Sequence, residues 1–233
     1  VIGQSTKSIW GGEQDHELYE RSTQVPVVHS VSFGYKDIDT WHKAALGVVE
    51  GHIYSRNTNP TVRAFEDKVK VLEDAEAATS FASGMAAISN TLGTFLKSGD
   101  RVVSIKDSYG GTNVIFNEFL PPLNINVSLC ETHDHEQIMN EISKGCKVLY
   151  LETPTNPTIK ITDIKKLSIA AKEVGGIVVV DNTFATPINQ NPLTLGADIV
   201  LHSASKYLGG HADALGGVIC GSKKLVEKVY HYR

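Results

Sequence analysis

Two residues that could carry chemistry follow apolar runs in the second half of the chain. Lys206 ends the stretch 203–206, Ser-Ala-Ser-Lys, which comes after the run 197–201, and Asp181 comes after the run 177–180. Both runs have the length and composition of buried strands, so we expect their carboxyl ends to meet at one edge of a sheet. At such an edge an amine can bond to an aldehyde, and a carboxylate can hold a protonated ring nitrogen.

Further polar and aromatic residues follow the other predicted strands. They are Ser83, Gly84 and Met85 after the run 77–81, Tyr109 on a predicted glycine turn (Gly110 and Gly111) after 101–105, Glu152 and Asn156 after 148–151, Thr183 after 177–180, and Ser203 and Ser205 after 197–201. Ser83 and the two residues behind it open a predicted helix, whose free N–H groups and positive dipole end suit a phosphate. Each residue alone has a commoner structural role, such as a helix cap or a surface charge. The interpretation therefore depends on their convergence at one edge.

Pyridoxal 5'-phosphate (PLP) is a cofactor that fits this set of residues. Lys206 supplies the amine for its aldehyde. Asp181 keeps its ring nitrogen protonated, so that the ring accepts electrons from the substrate α-carbon. The released amine of Lys206 can then move protons at the substrate α- and β-carbons. The sequence thus predicts an enzyme with Lys206 and Asp181 as catalytic residues and Tyr109 as an aromatic plate.

The elements that position these residues alternate regularly from residue 60 onward. Helical spacing of apolar residues predicts helices that begin near residues 60, 85, 134, 163 and 222. Seven apolar runs predict strands at 77–81, 101–105, 125–129, 148–151, 177–180, 198–202 and 218–220. Strands that are apolar on both faces and separated by helices predict an α/β fold with a mostly parallel sheet, covered on both sides. Residues 1–58 lack clear periodicity and are predicted to form an extended arm before a large domain at 59–233.

The composition argues against several classes of function. The chain has 233 residues and a formal net charge of −4, which gives no electrostatic reason to expect nucleic acid or an acidic membrane as a partner. No apolar run reaches the length of about 18 residues that a membrane-spanning helix needs. The first residues do not show the charged-then-apolar pattern of a secretory leader, so we do not expect secretion. We therefore expect a cytoplasmic protein with a small-molecule substrate.

Cysteine and histidine usage predicts no metal site. The three cysteines are too few and too scattered for a disulfide framework or a zinc site, which also favours a reducing compartment. The stretch 130–135, Cys-Glu-Thr-His-Asp-His, concentrates metal-ligating residue types, but their spacing fits no closed metal geometry. We predict a solvated turn in which Asp134 caps the next helix.

Six stretches of the sequence together carry a family resemblance. They are Ser-Ala-Ser-Lys-Tyr-Leu-Gly-Gly-His at 203–211, Tyr-Ser-Arg at 54–56 with Asn-Pro-Thr at 59–61, Ala-Ser-Gly-Met-Ala at 82–86, Glu-Thr-Pro-Thr-Asn-Pro at 152–157, Asp-Asn-Thr-Phe at 181–184 and Thr-Lys-Ser-Ile-Trp-Gly-Gly at 6–12. The chain resembles the Cys/Met-metabolism (trans-sulfuration) family of PLP enzymes over essentially its whole length. The motifs are specific to the family and not to one member.

The resemblance implies a type I aminotransferase-like fold and a homotetramer built of dimers with shared active sites. Tyr54 and Arg56 would reach into the neighbouring subunit and hold its cofactor phosphate. Tyr109 would stack on the ring and act as a catalytic acid or base in γ-chemistry, and Asn156 would contact the cofactor's phenolic oxygen or the substrate carboxylate. The cofactor-binding set within the subunit would include Ser83, Gly84, Met85, Thr183, Ser203 and Ser205.

Two departures from the family pattern bear on function. Methionine γ-lyases typically carry Cys two residues after the stacking tyrosine, and here that residue is Gly111. This favours cystathionine γ-synthase or γ-lyase, with methionine γ-lyase or O-acetylhomoserine sulfhydrylase as the alternative. The family also continues into a C-terminal small domain that supplies the arginine for the substrate α-carboxylate. We expect that domain to be missing from these 233 residues, which leaves a non-catalytic cofactor-binding fragment as a rival reading.

Overall fold

The structure is a computed structural model that describes residues 3–11 and 22–233. The chain divides into two compact units, Val1–Val71 and Leu72–Arg233. The first unit contains α1 (Gln4–Trp10), α2 (Ile38–Ala45) and most of α3 (Pro60–Leu72). The sequence predicted α3, but it did not predict the two shorter helices. The proposed division into an arm at 1–58 and a large domain at 59–233 stays a prediction.

The second unit is built on one seven-stranded sheet. Its strands are β1 (Ala77–Phe81), β2 (Arg101–Ile105), β3 (Asn126–Cys130), β4 (Val148–Glu152), β5 (Ile177–Asp181), β6 (Ile199–Ser203) and β7 (Gly217–Gly221). Their order across the sheet is β1-β7-β6-β5-β4-β2-β3. β7 runs antiparallel to β1 and β6, and the other neighbours are parallel. The predicted mostly parallel sheet of an α/β fold is therefore confirmed.

Helices cover both faces of the sheet. They are α4 (Gly84–Phe95), α5 (Gly110–Val114), α6 (His135–Ser143), α7 (Ile164–Glu173), α8 (Thr186–Asn189) and α9 (Lys223–Tyr232). On one face Leu92 of α4 and Val229 of α9 share a buried cluster with Val179 of β5. On the other face Ile138 of α6 and Leu167 of α7 belong to a second buried cluster. Both faces of the strands are thus removed from water, as their continuous apolar runs require.

Side-chain caps fix where three of these helices begin. The Ser83 hydroxyl accepts the N–H of Ala86 at the start of α4, and the Asp134 carboxylate accepts the N–H of Gln137 at the start of α6. Asp163 caps α7 in the same way. Each such cap stabilises a helix by about 1 kcal/mol. The prediction that Asp134 is a helix cap is confirmed.

The segment after β2 differs from the expected glycine turn. Gly110 begins the short helix α5, with Tyr109 as the residue before it, and a π-helical turn follows at Ile115–Phe119. A Cβ atom on Gly111 would lie 2.7 Å from the Sδ of Met85. The glycine therefore permits a close approach of α5 to α4 and does not make a turn. None of the helices in the described ranges has the length and apolar character needed to cross a membrane.

Candidate active site

A cavity of about 690 Å³ opens at the carboxyl ends of β4, β5 and β6. This volume lies within the range of small-molecule sites. Ten of the twelve residues predicted for the site line it, all from the second unit: Ser83, Gly84, Met85, Tyr109, Asn156, Asp181, Thr183, Ser203, Ser205 and Lys206. The parallel strands β4, β5 and β6 deliver side chains to one rim, as expected of an open α/β sheet.

Asp181 forms the acidic wall of this cavity. Its side chain is only 6% exposed. Oδ1 accepts the N–H of Thr183 at 3.0 Å, and Oδ2 accepts the hydroxyl of Tyr150 at 3.2 Å. Burial raises the pKa of Asp181, and the two hydrogen bonds from Thr183 oppose that shift. Because burial disfavours the charged form of this carboxyl group, a cationic partner would stabilise that form strongly. A protonated ring nitrogen would be such a partner.

Tyr150 lies beneath Asp181 as a neutral hydrogen-bond donor. It is a fully buried residue of β4, and its ring packs edge-on against Phe116 with centroids 5.4 Å apart. Burial raises the pKa of its phenol well above the usual value. The hydroxyl therefore keeps its proton and donates to Asp181. Tyr150 was not among the predicted site residues, although its position two residues before Glu152 places both side chains on one face of the strand.

Glu152 is a second buried carboxyl group in the cavity. It is 4% exposed and is the cross-strand partner of Asp181. Oε2 accepts the N–H of Tyr109 at 2.7 Å, and Oε1 accepts the N–H of Asn156 at 3.0 Å. Burial, together with the charge of Asp181, raises the pKa of Glu152 to about 7. Glu152 was predicted to lie at this edge but without a role, because its hydrogen bonds go to backbone groups that residue types do not reveal.

The start of α4 lies tightly against the end of β6. A Cβ atom on Gly84 would lie 2.6 Å from the Cβ and 2.8 Å from the Oγ of Ser203. Only glycine allows this approach, which brings the first N–H groups of the helix and the Ser203 hydroxyl to one wall of the cavity. N–H groups in the first turn of a helix have no acceptor within the helix. This wall is therefore suited to an anion such as a phosphate.

Lys206 follows β6 in a turn that faces the same cavity. Its N–H donates to the carbonyl of Ser203 at 3.1 Å, and the N–H of Ser203 donates to the Thr183 hydroxyl at 2.8 Å. Thr183 therefore links the end of β6, which precedes Lys206, to Asp181. The neighbouring Tyr207 packs edge-on against Phe184 at 5.6 Å, and both aromatic residues line the cavity.

Tyr109 and Asn156 stand at the open side of the cavity. Tyr109 is 45% exposed, so its ring is available to a ligand. Tyr54 and Arg56 belong to the first unit, where the Arg56 guanidinium lies 5.2 Å from the centre of the Tyr54 ring. Neither of these two residues is among those that line the cavity. Their role at a neighbouring subunit stays a prediction.

The residues present fit PLP by their chemistry. The cavity offers a primary amine from Lys206 and the buried carboxyl group of Asp181, which Thr183 and Tyr150 hold by hydrogen bonds. It also offers a helix start from which a side chain is sterically excluded. These are the partners needed by an aldehyde, a ring nitrogen and a phosphate, respectively. An exposed aromatic ring completes the set.

A buried polar network supports the strand ends from behind. The carboxylate of Glu73 is fully buried and lies 2.6 Å from Nε2 of His202. It also accepts the side-chain amide of Asn182 at 2.9 Å. His202 precedes Ser203 on β6, and Asn182 follows Asp181 on β5. The network therefore fixes the two segments that carry the cavity's acid and amine relative to each other.

Three comparisons with known proteins agree with one another. The family model described as Cys/Met metabolism PLP-dependent enzyme matches residues 5–233. Cystathionine gamma-lyase of Bacillus subtilis is 46% identical over 202 residues, which are 86% of this chain and 53% of that protein. L-methionine gamma-lyase of Fusobacterium nucleatum subsp. nucleatum is 46% identical over 180 residues, which are 77% of this chain and 46% of that protein.

A solved structure extends the likeness to the fold. The crystal structure of cystathionine gamma-lyase from Lactobacillus plantarum complexed with L-serine superimposes with a TM-score of 0.89 at 36% identity, covering 99% of this chain and 58% of that chain. The predicted type I aminotransferase-like fold is thereby confirmed. The chain spans about half the length of the two curated relatives described above.

Proposed function

Since the chain belongs to the Cys/Met metabolism family of PLP-dependent enzymes, we propose that its protein catalyses γ-elimination or γ-replacement on sulfur-containing or homoserine-derived amino acids. The observation that carries the proposal is the convergence of Lys206, Asp181 and Tyr109 on one cavity. An amine, a buried acid and an exposed aromatic ring come there from three separate segments. A surface cleft without catalytic function does not require this combination.

When bound, PLP supplies an electron sink for the substrate α-carbon. Asp181 would hold the proton on the ring nitrogen, and the donors Thr183 and Tyr150 keep its carboxylate oriented for that purpose. The Nζ of Lys206 would hold the cofactor through its aldehyde. As a free amine, the same group would transfer protons at the α-carbon and at the β-carbon of the substrate. The hydroxyl of Tyr109 would give or accept a proton at the γ-substituent.

The phosphate would lie at the start of α4. Gly84, Met85, Ser203 and Ser205 all line the cavity there, and the N–H groups of the first two and the hydroxyls of the last two would bind the phosphate. The Ser205 hydroxyl accepts the N–H of Gly216 at 3.0 Å and donates to the carbonyl of Gly216 at 3.3 Å, so its proton would turn from this long bond to the phosphate. Together these groups provide several donors to an anion at a positive helix end.

We propose further that the site is completed by a second copy of the protein. Tyr54 and Arg56 would bind the phosphate of the neighbouring subunit in a homodimer or homotetramer. An arginine suits this role because its planar guanidinium makes paired hydrogen bonds to phosphate. A cytoplasmic location is the matching proposal for the compartment, supported by a sequence whose three scattered cysteines give no disulfide framework.

Methionine γ-elimination is the second candidate activity. It is favoured by the 46% identity to L-methionine gamma-lyase of Fusobacterium nucleatum subsp. nucleatum. Gly111 argues for the cystathionine branch, because methionine γ-lyases typically carry Cys at this position. O-acetylhomoserine sulfhydrylation stays the alternative within the synthetic reactions.

A substrate panel on the full-length protein tests the proposal and separates its branches. We expect cysteine and 2-oxobutyrate from cystathionine, or cystathionine from an activated homoserine and cysteine. Methanethiol from methionine would favour the second candidate, and homocysteine from O-acetylhomoserine and sulfide the alternative. A PLP-loaded protein that turns over none of these substrates would contradict the proposed function and favour a cofactor-binding protein without catalysis.

A further inference from the structure

Glu152 connects two segments of the cavity through a single carboxyl group. One oxygen accepts the N–H of Tyr109 at 2.7 Å, and the other accepts the N–H of Asn156 at 3.0 Å. Tyr109 follows β2, whereas Asn156 follows β4, which ends in Glu152 itself. Because Glu152 is 4% exposed, water cannot easily replace either bond. The placement of both residues at the cavity rim therefore depends on this carboxyl group.

The same carboxyl group lies beside Asp181. Glu152 and Asp181 are paired across β4 and β5, and both line the cavity. Two buried carboxylates at neighbouring positions repel each other, so one of them tends to hold a proton. A protonated carboxyl group is a weaker acceptor for two N–H donors than a carboxylate. A cation that pairs with Asp181 would relieve the repulsion and allow Glu152 to ionise.

We propose that Glu152 is a positioning residue that couples the arrival of a cationic ring nitrogen at Asp181 to the firm placement of Tyr109 and Asn156. The inference deepens the proposed function and rests on it. Before the cofactor binds, Glu152 is partly protonated at neutral pH and holds the two segments loosely. Once the cationic ring nitrogen compensates the charge of Asp181, Glu152 releases its proton to solvent and accepts both N–H groups as a carboxylate. Cofactor binding and the completion of the catalytic set are thus one event.

Several other titratable groups line the same cavity as Glu152 or interact with it electrostatically. Burial and the charge of Asp181 together set the pKa of Glu152 near 7. The others are Tyr150 on β4, Tyr109 after β2, and Lys206 and Tyr207 after β6. The phenol of Tyr150 stays neutral because burial raises its pKa well above the usual value. A comparison of variants at Glu152 alone isolates its contribution from these neighbours.

The first test measures the apparent affinity of the cofactor-stripped protein for PLP as a function of pH, in the wild type and in Glu152→Gln. Glutamine keeps the size of the side chain and cannot ionise. We expect the ratio of wild-type to variant affinity to rise about tenfold from about pH 6 to about pH 8, since one proton leaves a group that titrates near 7. A ratio that stays constant over this range would overturn the coupling. Glu118→Gln, an exposed glutamate, serves as the matched control and should show no pH-dependent ratio.

The second test asks whether Glu152 acts through Tyr109. We expect Glu152→Gln to lower kcat about tenfold in the wild type. In the Tyr109→Phe background the loss should be much smaller, because the function of the Tyr109 hydroxyl, through which Glu152 acts, is already removed. Equal losses in both backgrounds would show a merely structural role. Glu152→Asp keeps the charge but not the reach, and it should preserve the pH-dependent affinity while losing kcat. A wild type that binds no PLP would instead refute the proposed function, so the two failures are distinguishable.

Discussion

Glu152 and Asp181 are direct neighbours across β4 and β5, and both buried carboxyl groups face the same cavity. The arrangement is costly for the protein without a ligand, because burial penalises both charges and each charge penalises the other. It becomes favourable when a cation binds to one of them. Two buried, mutually repelling carboxyl groups at the rim of an α/β sheet therefore indicate a binding function, since they do not stabilise the fold.

The first prediction concerns the stability of the cofactor-free protein. The pKa of Glu152 is raised from 4.5 to about 7, so between these values the folded chain holds a proton that the unfolded chain has released. The free energy of unfolding should therefore fall as pH rises through this window, by on the order of 3 kcal/mol from this group. Urea unfolding at a series of pH values checks it. The difference between wild type and Glu152→Gln should follow this curve, and a difference independent of pH would contradict it.

The second prediction concerns the hydroxyl of Tyr150. Tyr150→Phe removes the 3.2 Å hydrogen bond to Asp181 and leaves the packing against Phe116 intact. One such bond contributes about 1 kcal/mol, so the affinity for PLP should fall roughly fivefold with little change in fold. Equilibrium titration of the cofactor measures the effect. Tyr232→Phe, near the end of α9, is the control and should bind PLP like the wild type; a Tyr150→Phe variant that does so as well would rule out the contribution.

The third prediction concerns the close approach of α4 to β6. Gly84→Ala places a methyl group 2.6 Å from the Cβ of Ser203, and both positions belong to regular elements that cannot easily move. We expect the affinity for PLP to fall by at least about tenfold, since overpacking of this kind costs about 1–3 kcal/mol. Gly110→Ala is the control, because its added methyl group meets no atom within 4 Å. Equal affinities of the two alanine variants would be inconsistent with a phosphate seat at Gly84.

The fourth prediction concerns the buried network behind the strands. Glu73→Gln removes the charge that faces Nε2 of His202 at 2.6 Å. Weakening the buried hydrogen bonds that this carboxylate makes costs about 1–3 kcal/mol, so chemical unfolding should show a loss of this size. Glu173→Gln at the exposed end of α7 should cost less than about 0.5 kcal/mol. Equal losses in the free energy of unfolding of the two variants would mean that the buried contacts of Glu73 contribute no more to stability than an exposed glutamate does.

Most of the fold could be predicted because the central strands β4, β5 and β6 of the second unit are buried on both faces. Runs such as 177–180 are apolar throughout, and helices with clear periodicity separate them. The helices α1 and α2 could not be predicted, since each is no more than eight residues long and the flanking sequence has no sustained pattern. The glycine pair after Tyr109 was misread because glycine marks both turns and close helix contacts.

The site could be predicted where residue type carries the chemistry. The ends of apolar runs predicted where Lys206 and Asp181 lie, and a helix cap predicted the start of α4. Glu152 and Tyr150 could not be assigned roles, since their parts depend on the register between β4 and β5 and on bonds to backbone groups. Register between strands distant in sequence is a tertiary property that one strand's pattern does not contain.

The covalent partner of the cofactor is the most direct test of the account. After PLP-loaded protein is reduced with borohydride and digested, mass spectrometry should find the cofactor's mass on the peptide that contains Lys206. Lys206→Ala should lose both this adduct and the visible absorption band, while Lys223→Ala in α9 should keep them. A reduced cofactor attached to another lysine, or no adduct in protein saturated with PLP, would contradict the assignment of Lys206 and with it the proposed function.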